Sequence, residues 1–85
     1  MEKLIDVFLC ALEENDFMIN HEKQKVKEAS RVIKQLEKVN ENIENKVDVS
    51  PFMEEREQHL KQLAELKIDQ RKLYRMYKIL IKDVE

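Results

Sequence analysis

Asn45-Lys46-Val47-Asp48-Val49-Ser50-Pro51 is the stretch that tells this chain to turn. A serine followed by proline is a helix start. The serine oxygen can accept from an orphan backbone N–H, and proline at the first helical position gives up a donor that would be unpaired anyway. Glu54 and Glu55 follow, and the spacing places them in the first turn, where the helix dipole favours negative charge. Both flanking segments are long, periodic and rich in charge. The chain therefore reads as a single all-α domain over 1–85: helix one about 2–45, a turn at 46–50, helix two about 51–84.

Counting in sevens from Ile5 gives Leu12, Ile19, Val26, Ile33, Asn40 and Val47, with a companion line Phe8, Asn15, Glu22, Ala29, Leu36 and Ile43. The second segment gives Arg56, Leu63, Gln70, Tyr77 and Val84 beside Phe52, His59, Leu66, Leu73 and Leu80. These are the a and d lines of a coiled-coil-like seam, and a short connection makes the two helices an antiparallel hairpin. Pairing residues whose numbers sum to 99 matches a with d and sets Ile33 against Leu66 and Leu36 against Leu63. It also joins Asn40 and His59 in one polar layer, where a hydrogen bond would fix register.

That pairing leaves residues 2–13 with nothing beside them, although Leu4, Ile5, Phe8, Leu9 and Leu12 make this the most apolar part of the chain. An all-round apolar helix must be buried on several sides. Either the segment packs into another molecule, or the helix breaks near Asn15-Asp16 and folds back as a three-helix bundle. A second seam widens the stripe: Met18, Val32 and Val39 on helix one, Met53, Leu60, Tyr74 and Ile81 on helix two. A stripe wider than a and d alone suits a bundle better than an isolated pair. The expectation is a homodimer forming a four-helix bundle, with Leu4, Ile5, Phe8, Leu9, Leu12, Met18, Val32 and Val39 on the assembly surface.

Composition removes most other classes. Glycine and tryptophan are absent, proline and cysteine occur once each, and 40% of residues are charged. Without glycine there is no P-loop and no dinucleotide-binding turn. Eighty-five residues enclose too little interior for an ordinary catalytic pocket. Cys10 cannot make an internal disulfide and reads as a small buried hydrophobe. No secretory signal is convincing, and the apolar run Leu4–Leu12 is far short of the roughly 20 residues that cross a bilayer. A cytoplasmic protein without a transmembrane segment is expected.

His21-Glu22-Lys23-Gln24-Lys25 begins like a zinc-protease helix but lacks the second histidine, and no nucleophile–base pair can be assembled. The expectation is no catalytic residue, no metal, no cofactor and no enzymatic activity. Between Arg56 and Lys82 eight cations stand against three acids, and Lys67, Arg71, Arg75, Lys78 and Lys82 form a stripe beside Tyr74. Such a stripe can track phosphates on nucleic acid or an anionic surface. The plainer reading sets it against acids, of which the first twenty residues hold five against one lysine. The leading expectation is thus a helical interaction module that self-associates and binds or regulates a larger protein partner, as adaptor, chaperone-like protein or inhibitor. The alternative is a nucleic-acid or anionic-surface binder.

Overall fold

The structure, a computed structural model, describes residues 2–84; residues 1 and 85 and the side chains of Glu2 and Val84 lie outside the described set. Two helices account for nearly all of it: α1, Glu2–Asn40, and α2, Ser50–Val84. They lie antiparallel in a rod of 67 × 14 × 14 Å. The α1 helix runs without interruption through Asn15 and Asp16, so the three-helix alternative does not hold. The uncovered apolar segment that motivated it is not uncovered, as the pairing of the helices makes plain.

Among the described residues Asn15 is the buried polar one, 6% exposed. Its Nδ2 donates to the Leu66 carbonyl at 2.9 Å and to Gln70 Oε1 at 2.7 Å. Asn15 opposite Gln70 sets the sum of paired residue numbers at 85 rather than 99, a slip of fourteen residues or two heptads. In this register Ile5 lies opposite Leu80, Phe8 opposite Tyr77, Leu12 opposite Leu73, Ile19 opposite Leu66 and Ile33 opposite Phe52. The N-terminal apolar segment is therefore packed along the far half of α2, and Ile5, Phe8 and Leu12 are half-buried. Burial is deepest at Ile19, Ile33 and Leu63, which keep less than a tenth of their surface exposed. Each is worth about 2 kcal/mol relative to an exposed position.

The slip follows from where α1 ends. The helix stops at Asn40 rather than near 45, leaving a connection over 41–49. Asn40 leaves the seam altogether: its Oδ1 accepts from the Val47 N–H at 2.8 Å and its Nδ2 donates to the Val47 carbonyl at 3.0 Å. One side chain thereby imitates a strand partner and folds the connection back on the helix end. Asn42 Nδ2 donates to the Lys38 carbonyl at 3.2 Å, satisfying one of the orphan acceptors of the last turn. Asparagine side chains compete with the helix for backbone groups in this way, and three stand between 40 and 45.

The α2 start is one residue earlier than the Ser50 cap implies. Val49 provides the first carbonyl, accepting from Phe52 and Met53 at 3.1 Å each, and Ser50 is already in the first turn. The capping oxygen belongs to Asp48, whose Oδ1 accepts from the Ser50 N–H at 3.0 Å. That backbone bond, and then one from the Ser50 side chain, holds the Asp48 carboxyl below its ordinary value of 3.8. Glu54 and Glu55 fall beyond the first turn, which carries no acid.

Candidate functional site

The rod is 14 Å across, and the candidate surfaces are the two faces that flank its seam. In an antiparallel pair, the flanking lines of the two helices meet on like sides of the seam. On one face α1 contributes Leu4, Val7, Met18, Val32 and Val39, and α2 contributes Met76 and Ile79, all exposed. Phe17 stands at the edge of this face, 73% exposed. Beside it an open groove of about 580 Å³ has Leu66 and Met18 in its lining and Glu22, Glu65 and Asp69 among its acids. A neighbouring groove joins Ala11, Glu14 and Met18 to Asp69, Lys72 and Leu73 of the other helix.

The opposite face carries Leu9 from α1 and Met53, Leu60 and Tyr74 from α2, again exposed, with Ile81 half-buried. The two halves of the second seam thus lie on opposite faces. Of the residues expected on an assembly surface, Leu4, Leu9, Met18, Val32 and Val39 are free on one face or the other. Ile5, Phe8 and Leu12 instead line the seam within the chain.

The polar layer of Asn40 with His59 does not form. His59 Nδ1 lies 2.6 Å from Glu22 Oε2, and His59 Nε2 lies 3.8 Å from Glu55 Oε1. The heptad slip moves Asn40 two heptads beyond His59 and brings Glu22 to it. The polar contacts that do join the helices are therefore Asn15 with Gln70 and Leu66, and Glu22 with His59. Both pairs were visible as polar interruptions on the a and d lines. Matching interruption to interruption on both helices is the signal that selects this register.

Lys67, Arg71, Arg75, Lys78 and Lys82 are all exposed along α2. Lys78 Nζ sits 5.0 Å from the centroid of the Tyr74 ring, within cation–π range. Tyr74 and Tyr77 lie with ring centroids 6.5 Å apart. Among the described residues none of the five cations is in an ion pair; the lysine pair that forms is Lys25 with Glu28 at 3.9 Å. The acidic start of α1 runs beside this half of α2 within the same chain. Cys10 is exposed, not a buried hydrophobe.

His21 lies on the groove wall, separate from the His59 contact. No group of three or more His, Cys, Asp or Glu among the described residues is placed to hold a metal ion. No helix is long and apolar enough to cross a membrane. No family model matches the chain, and comparison with curated proteins and with solved structures gives no match.

Proposed function

We propose that this protein is a helical interaction module that self-associates and then binds or regulates a larger protein. The observation that carries the reading is the distribution of apolar side chains. Among the described residues three are buried in the seam, while fifteen large ones are at least a third exposed; Ile43 and Val47 of these lie in the connection and the other thirteen on the helices. A monomer with so much apolar surface is an association surface in waiting. Chemistry is not needed for such a role: the faces recognise, and the seam keeps them straight.

Solution mass by light scattering on a size-exclusion column tests the first half. A mass near twice 10.3 kDa supports self-association, and 10.3 kDa across the micromolar range refutes it. Phe8 and Leu12 are the wrong residues to perturb, because charge placed there would open the hairpin itself. Exposed positions such as Val7 and Met18 leave the seam intact.

A second reading, polyanion binding, is favoured by the exposed α2 cations, which have no ion-pair partner among the described residues. Titration with heparin and with duplex DNA at several salt concentrations tests it. Binding that falls steeply with salt, and is lost when Arg71, Arg75 and Lys78 are neutralised together, supports this reading. No binding at low salt removes it.

A further inference from the structure

We infer that one particular face, the one bearing Leu4, Val7, Met76 and Ile79, is where a second copy docks, with the two-fold axis parallel to the rod. The inference rests on the self-association reading and adds the face, the register and the direction. The argument is one of matching heights. Within a chain, α1 residues and α2 residues whose numbers sum to about 85 lie at the same height, as Asn15 and Gln70 do. A two-fold axis along the rod keeps height unchanged while exchanging the helices, so α1 of one copy lies over α2 of the other.

At the Leu4 end of this face that exchange puts apolar against apolar, while Met18 falls beside Glu65 and Asp69. Leu4 and Val7 of one copy meet Ile79 and Met76 of the next, and these four are 45%, 61%, 62% and 53% exposed in a single chain. It also puts opposite charges together: Glu14 of one copy meets Lys72 of the next. Within one chain these two line the same groove without pairing with each other. An axis laid across the rod matches this end less well. About Ala11 it sets α1 on α1 and faces Val7 with the Glu14 region and Met76 with the Lys72 region. About the middle of the rod it brings Leu4 to Val39 but leaves Ile79 opposite Asp48 and Met76 opposite Pro51. The interface is isologous, so each favourable match occurs twice. The product is an antiparallel four-helix bundle with both connections at the same end.

Equilibrium sedimentation on the full chain tests the face. The set comprises the wild type, Val7→Glu, Met76→Glu and, as a control on the opposite face, Leu60→Glu. All three sites are exposed, so circular dichroism should show unchanged helix content. The expected result is a dimer whose dissociation constant rises at least about tenfold in Val7→Glu and Met76→Glu, because a carboxylate is buried, and stays near wild type in Leu60→Glu. Glu14→Lys and Lys72→Glu each weaken the homodimer, whereas an equimolar mixture of the two variants regains affinity as a heterodimer, because both of its contacts then set a lysine against a glutamate; no gain on mixing would overturn the pairing between copies. A wild-type monomer would end the self-association reading itself. A dimer broken by Leu60→Glu but not by Val7→Glu would keep that reading and overturn this face. Direction is read from spin labels on Asn45→Cys in a Cys10→Ser background. The two labels fall within about 40 Å of each other when the connections share an end, allowing about 10 Å per helix across the bundle. Labels separated by about the 67 Å length of the rod, or by more, would overturn the parallel arrangement.

Discussion

Replacing Asn15 with leucine separates the stability of the hairpin from the uniqueness of its register. In the observed register the Asn15 amide makes two hydrogen bonds at 6% exposure. At about 1 kcal/mol net for each, they contribute about 2 kcal/mol. If α2 slides by one heptad, a and d lines still meet, but both bonds are lost and a buried amide is left unpaired, costing a further 1–3 kcal/mol or so. The asparagine therefore disfavours the slipped hairpin by roughly 3–5 kcal/mol, well over a hundredfold in population. Leucine removes both contributions. It loses the bonds but gains about 2 kcal/mol of apolar burial, so overall stability should change by no more than about 1 kcal/mol. Register purity should be lost.

The assay is the distance between spin labels at Glu13→Cys and Glu54→Cys with Cys10→Ser, diluted in unlabelled protein to suppress distances between copies. Glu54 lies at the height of Arg31, eighteen residues from Glu13, an axial separation of about 27 Å at 1.5 Å per residue. A one-heptad slip adds about 10 Å. Wild type should give one population, and Asn15→Leu a second about 10 Å longer. A single unshifted population in Asn15→Leu, at undiminished stability, would show that Asn15 does not set the register.

Three other outcomes follow from contacts already described. His59→Ala should lower unfolding stability by about 1–2 kcal/mol, and a double-mutant cycle with Glu22→Gln should show coupling near 1 kcal/mol; zero coupling in urea melts would mean the 2.6 Å contact is energetically idle. Asp48 has a depressed carboxyl, so its stabilisation is present above 3.8 and disappears as pH falls through the lower folded value. Asp48→Ala should therefore melt earlier than wild type at pH 7 and indistinguishably from it in strong acid, and a gap that persists there would contradict the capping role. Asn40→Ala should speed amide exchange at Val47 and in the last turn of α1 while leaving the Asn15 layer protected. Equal loss of protection at both would mean that the connection and seam do not open separately.

The helices themselves were legible in the sequence: Ile5 to Ile33 and Phe52 to Leu80 keep their heptad lines, and those lines do form the seam. The register was not legible from those lines, because a seven-residue repeat is blind to a slip of seven or fourteen. Leu66 and Leu73 each find an apolar partner in either register. What decides is polar, Asn15 against Gln70 and Glu22 against His59, and such pairs are few in any coiled coil. The end of α1 was misplaced for a related reason. Glu41 to Val47 contains no glycine or proline and continues the apolar spacing through Ile43 and Val47, so the pattern alone reads as helix. The asparagines overrule it through their own backbone bonds. The candidate faces were half legible. Their residues were identifiable as flanking lines, but assigning Met18 and Leu60 to opposite faces requires the antiparallel geometry.

The antiparallel pairing also fixes how the rod would yield to load. Ile5 sits opposite Leu80, so a pull applied through the two chain ends acts on a single rung at a time and peels the hairpin like a zipper. Resistance along that path is uneven. The first rungs are apolar and partly open, the Asn15–Gln70 rung is the earliest held by directional bonds, and the buried Ile19 follows immediately. A tether attached at this end would release between about three and four turns of each helix at low force, then meet a catch. The remainder, out to the connection at 41–49, would stay zipped until that catch gives way.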